Sequence, residues 1–149
     1  MQEHEEIVRE FETLLEGAGL ALVEFSLTTR RGAANARAIV YSPKGTGTAE
    51  CAKAHRLIYP RLQVLLGIED PDLEVSSPGI DRTLRSAREY ALFVGKGLRI
   101  MLVNESEWIL GKLVSASEKE ISLVTDKGTE VFDLAAVAKA RLDSTQEGD

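Results

Sequence analysis

The sequence predicts an α+β protein built in two parts, an N-terminal α-β-β-α-β domain and a small C-terminal all-β barrel. Three observations carry the prediction. Helix-spaced apolar residues alternate with β-rich runs as far as Val75, short strand-like runs divided by tight turns fill the chain beyond Gly95, and a Ser-Ser-Pro-Gly joint at 76–79 stands between them. The boundaries that follow are an α/β domain over 1–82, a linker over 83–88 and the barrel over 89–149. Domains of roughly 60–80 residues bury only about 60% of their unfolded surface, so each is expected to lean on the other.

From Glu3 to Leu15 the residues Ile7, Val8, Phe11, Leu14 and Leu15 recur at helical spacing, and Gly17 and Gly19 are stop signals. "LALVEFSLTT" and "ARAIVYS" read as two strands joined by "RRGAAN", whose Gly32 and Asn35 suit a turn. Thr48 is placed to cap a second helix carrying Cys51, Ala52, Leu57, Ile58, Leu62 and Leu65. Pro60 removes a donor there and crowds the preceding turn, which predicts a kink or break near Tyr59. The alternation of Leu73, Glu74 and Val75 makes a short strand that runs into the joint.

Beyond the joint, "SARE" is a capping box in which Ser86 accepts from the Glu89 amide and the Glu89 side chain reaches back, starting a short helix over 87–94 that Gly95 closes. "KGLRIMLV", "WILGKLVSAS", "EISLVT" and "TEVFDL" then read as strands, with "AVAKARL" as a fifth. Short strands in so few residues favour closure, which removes exposed edges, so 89–149 reads as a five-stranded SH3-like barrel.

Composition bounds the function. The chain is 44% hydrophobic and 28% charged, as in ordinary globular proteins, and no apolar run approaches the roughly 20 residues that cross a bilayer. The acidic start from Met1 to Glu12 is unlike a signal peptide, so a soluble, cytoplasmic protein is expected. Cys51 is the single cysteine and makes no internal disulfide; with His4 and His55 it forms no zinc set, and it reads as a small buried apolar residue. Net charge is −6, but residues 30–61 hold seven bases (Arg30, Arg31, Arg37, Lys44, Lys53, Arg56, Arg61) against Glu50 alone. Arg82, Arg85, Arg88, Lys96 and Arg99 outnumber Asp81 and Glu89 over 80–100. An acidic total thus conceals local sites for an anion such as a phosphate backbone, unless these bases pair with acidic segments across the fold.

In the joint, Pro78 suits position i+1 of a type II turn, Gly79 the positive-φ position after it, and Asp81 is placed to cap amides or pair with Arg82. Ser76 or Ser77 as a nucleophile needs a base and an oxyanion site; neither is indicated, since no G-x-S-x-G elbow exists and His55 sits mid-helix. "GKG" lacks the rest of a Walker A loop and "KGTGT" lacks the dinucleotide-binding context, so neither an enzyme nor a cofactor or metal is expected. Trp108, beside Ile109 in a strand, reads as core packing, and Tyr41, Tyr59 and Tyr90 are too scattered to stack bases.

"LEVSSPGIDRTL" followed by "AREYALFVGKGLRI" resembles the RimP family of ribosome maturation factors, in which an LEVSSPG-[LI]-DRPL segment joins two domains; "GLALVEFSL", Cys51-Ala52 and "EVFDLAAVAKARL" extend the likeness. Thr83 stands where the family usually has proline, which loosens the segment after the turn. The resemblance implies an α/β domain, an SH3-like barrel and a non-enzymatic role in assembling the small (30S) ribosomal subunit, with rRNA and a small-subunit ribosomal protein as partners. A monomer is assumed. The candidate ribosome contacts are Arg82, Arg85, Arg88, Lys96 and Arg99, then Arg30, Arg31 and Arg37, with Ser76, Ser77, Pro78, Gly79 and Asp81 setting the geometry. The acidic barrel is expected to meet the basic ribosomal protein through its strand edges and loops. The competing reading is a protein-binding adaptor that uses the barrel without touching RNA.

Overall fold

The structure, a computed structural model, describes residues 2–146. It divides into two compact units, one ending at Pro78 and the other starting at Gly79.

The first unit runs α1 (Gln2–Glu16), β1 (Ala21–Arg30), β2 (Ala33–Tyr41), α2 (Thr48–Leu66) and β3 (Asp72–Ser76), the expected α-β-β-α-β order. Its sheet is ordered β1-β2-β3; β1 and β2 form an antiparallel hairpin, whereas β3 lies parallel to β2 and needs a crossover, which α2 supplies. Phe11 and Leu15 of α1 and Ala54, Ile58 and Leu62 of α2 are buried against Leu22, Phe25, Ala36, Ala38 and Val40 of the sheet. Phe11 meets Phe25 edge to face, ring centroids 5.3 Å apart and planes at 72°. Leu73 and Val75 pack on this core while Glu74 is exposed, as their alternation predicts.

Three local expectations are corrected. The hairpin turn is only Arg31-Gly32, both at positive φ (49° and 79°) as a type I′ connection requires, so Asn35 lies inside β2. Thr48 is the first residue of α2 rather than its cap: Gly47 caps, and its N–H donates to the Glu50 carboxylate at 2.8 Å. Pro60 does not break α2, which is continuous to Leu66; Pro60 and Arg56, whose carbonyl loses a donor, both face solvent.

The second unit contains α3 (Ala87–Leu92) and an antiparallel sheet of β4 (Gly97–Leu102), β5 (Ile109–Ala116), β6 (Glu120–Thr125), β7 (Gly128–Asp133) and β8 (Val137–Leu142), ordered β7-β6-β5-β4-β8. Leu98, Ile100, Leu113, Ile121, Leu123 and Ala140 are buried, with Leu84, Tyr90 and Phe93. The five strands are those read from the sequence, but the sheet is open: among the described residues no ladder joins β7 to β8. Between those strands a 3-10 turn at Leu134–Ala136 intervenes, and β8 pairs with β4 instead. The outer edge of β8 is covered by residues 82–84, where Leu84 N–H donates to Ala140 O (2.8 Å) and Leu142 N–H to Arg82 O (2.9 Å). Ser86 caps α3 by accepting from the Glu89 N–H at 3.3 Å, as expected; the helix ends at Leu92, and the Gly95 N–H (φ 100°) donates to Leu113 O.

Candidate nucleic-acid interface

In the first unit the basic island is partly neutralised. Arg37 on β2 pairs with Glu74 on β3 at 3.3 Å, with both side chains about two-thirds exposed, and such surface pairs contribute little. Arg61 donates to the Glu10 carboxylate, which this hydrogen bond holds below its ordinary range. Lys53 Nζ donates to Ala18 O at 3.1 Å. Arg30 and Arg31 stand exposed together at the hairpin tip.

The joint is less constrained than a Pro-Gly type II turn. Gly79 is not at positive φ, and the chain turns two residues later, where Arg82 N–H donates to Gly79 O at 3.1 Å. Ser76 closes β3 opposite Ile39; Ser77, Gly79 and Asp81 are exposed, Pro78 is half-buried, and Ile80 is 86% exposed.

Among the cations of the second unit, Arg82 requires a correction. Its Nε donates to Glu89 Oε1 at 2.9 Å, and the two side chains are only 10% and 8% exposed. A guanidinium so enclosed ties residue 82 to α3 and presents little surface to an outside phosphate. Arg85 and Arg88 are exposed beside the first turn of α3, Lys96 is half-buried before β4, and Arg99 is half-buried on β4. Tyr90, next to Glu89, is buried, and that burial, then the Glu89 charge, pushes its phenol up to about 12.

Trp108 is also corrected. Ile109, Gly111 and Leu113 take the inward positions of β5, which leaves Trp108 37% exposed with the Arg99 guanidinium 5.3 Å from its ring centroid. Neither the pairing of Arg82 with Glu89 nor the place of Arg141, which lies directly opposite Arg99, follows from the sequence expectations. The alternation in "AVAKARL" carries the signal for Arg141, since it sets Lys139 and Arg141 on the side opposite buried Ala140.

His55 stacks on Tyr59 at 5.4 Å, and the Tyr59 hydroxyl donates to Asp70 Oδ1 at 2.7 Å. Burial and then Glu50 push the Cys51 thiol up, away from reactive thiolate. Among the described residues there is no cluster of three or more His, Cys, Asp or Glu placed to hold a metal, and no helix long and apolar enough to cross a membrane. What the arrangement offers is exposed cations on ordered elements, a means of binding anions.

The family comparison bears on the first unit. Residues 10–81, from the middle of α1 through the turn after β3, match the family model for the RimP N-terminal domain. By this match residues 10–81 are a RimP N-terminal domain, which supports placing the chain in the RimP family of ribosome maturation factors.

Proposed function

We propose that this protein is a non-enzymatic cytoplasmic factor that binds the free small (30S) ribosomal subunit or its precursor during maturation and then leaves. The match of residues 10–81 to the RimP N-terminal domain carries the reading. Exposed Arg30 and Arg31 in one unit and Arg85 and Arg88 in the other support it, joined by half-buried Lys96 and Arg99 as contacts to rRNA phosphates. Arg37 is available through exchange of its weak surface pair. Ser76, Ser77, Pro78, Gly79 and Asp81 shape the backbone between the units. A small-subunit ribosomal protein, being basic, suits the acidic loops around Glu105, Glu107, Glu118 and Asp126. The pairing of the first strand of the second sheet with its last supports an SH3-like reading of that unit.

Co-sedimentation with purified small subunits at low salt is expected to show association that weakens as salt rises. Reversing Arg85 and Arg88 to Glu together is expected to reduce binding at least tenfold and lower the salt slope by about 0.9 per lost phosphate contact. Association unchanged by that double reversal, but abolished by neutralising the acidic loops, would support the RNA-independent adaptor instead.

A further inference from the structure

The outward face of the second sheet holds an arrangement that internal packing does not explain. Arg99 on β4 and Arg141 on β8 are direct cross-strand partners, so two like charges sit opposite one another, a pairing that costs stability. The Nε of each is buried without a hydrogen-bond partner, and neither guanidinium has an ion-pair partner among the described residues. Their remaining ladder neighbours are Leu110 and Thr83, neither of which can neutralise them. Asp143, farther along the line of β8, accepts from the Thr145 N–H (3.1 Å) and hydroxyl (2.5 Å).

We propose that this face is a phosphate-binding surface, with Arg99 and Arg141 gripping one phosphate of a nucleic-acid backbone between them. A tetrahedral dianion or diester presents several acceptor oxygens, so one group satisfies donors of both forks and screens their repulsion. A backbone fits better than a lone ion because further cations lie alongside: Lys139 opposite Met101 on β8, and Lys112 opposite Gly97 on β5. Trp108 holds the Arg99 guanidinium against its ring and leaves part of that ring open for a base to approach. The surface is thus a cationic stripe on an otherwise acidic stretch of chain, and it adds Arg141, Lys139, Lys112 and Trp108 to the contacts. It deepens the rRNA-binding reading above but is testable without ribosomes.

Trp108 is the single tryptophan, so its fluorescence reports on this surface alone. The full chain is titrated with inorganic phosphate, with a short oligouridylate of about ten nucleotides, and with oligoglutamate. The expected result is a Trp108 response to oligouridylate at far lower concentration than to phosphate, weakened about tenfold by Arg141→Gln and by Arg99→Gln, with the log–log salt slope reduced by about 0.7 in each. Without ligand, Arg141→Gln should melt no lower than the parent, because the like-charge pair is gone, which separates lost binding from lost folding. Oligouridylate affinity within twofold of the parent in Arg141→Gln, response to phosphate alone, or oligoglutamate acting at lower concentration than RNA would each overturn the proposal. Oligouridylate binding retained in a protein that does not co-sediment with small subunits would refute the proposed function and leave this surface standing.

Discussion

Replacing Arg82 with methionine leaves the Glu89 carboxylate enclosed without its counter-charge. The two side chains are about nine-tenths buried and 2.9 Å apart. Unit charges about 4 Å apart at an effective dielectric of 20 attract by ~4 kcal/mol, and breaking a buried pair from one side costs about 3–5 kcal/mol once desolvation is included. A domain of about 70 residues has a total stability of roughly 4–10 kcal/mol, so Arg82→Met is expected to remove about half of the second unit's stability. Urea unfolding followed by Trp108 fluorescence reads this directly, because that residue belongs to the unit in question. Thermal melting should fall by more than about 12 °C, at 4–8 °C per kcal/mol for a domain this small. Substituting both partners, Arg82→Met with Glu89→Leu, should recover most of the loss, to within about 1 kcal/mol of the parent, since an apolar pair of similar volume carries no buried charge. The doubly substituted protein should also keep its affinity for small subunits. A single-variant cost below about 1 kcal/mol, or a double variant as unstable as the sum of the singles, would refute the structural assignment of Arg82.

Three further outcomes are expected. Burial holds the Tyr90 phenol at about 12 against an ordinary value of 10, so this group's contribution to the second unit's stability should be constant below about pH 10 and then fall by ~1.4 kcal/mol per unit, ~2–3 kcal/mol in all by pH 12; Tyr90→Phe should remove that part of the slope in alkaline urea melts. Pro60→Ala restores a backbone donor inside a continuous, solvent-facing helical segment and should raise the urea midpoint of the first unit by an amount equivalent to about 1–3 kcal/mol; a loss of helical circular dichroism would contradict this. Gly97→Ala puts a methyl 2.2 Å from Asp143 O and 2.8 Å from Gln146 Cβ, so it should cost about 1–3 kcal/mol and render residues 143–146 sensitive to limited proteolysis; a neutral effect on both would show that the 3-10 turn at Ser144–Gln146 yields freely.

What was readable in the chain was whatever depends on spacing alone. Phe11 and Leu15 declare a buried helix face, and Leu73-Glu74-Val75 a half-buried strand, because neighbours along one element decide their burial. The hairpin was readable but its turn was not, since Arg31 adopts a positive φ that its side chain does not favour and that the strand register imposes. Trp108 departs from core packing by a single step of parity: the close approach of Gly111 to Val124 O fixes which side of β5 faces inward. Partner choice was hidden for a different reason. Arg82 has acids on both sides along the chain, and only the placement of α3 selects Glu89. Arg141 acquires its meaning from Arg99, forty-two positions earlier, through a ladder that no local pattern specifies.

Residues 82–84 and β8 have a consequence for how the protein is made. Thr83 pairs with Arg141, and β4 pairs with the same closing strand, so the second sheet depends on contacts between its earliest and its latest residues. The first unit needs nothing beyond Pro78 for its own ladders. During synthesis the first unit should therefore acquire its native form on the nascent chain, while the second waits until Val137–Leu142 has emerged, with Arg99 and Arg141 brought together only at that last step.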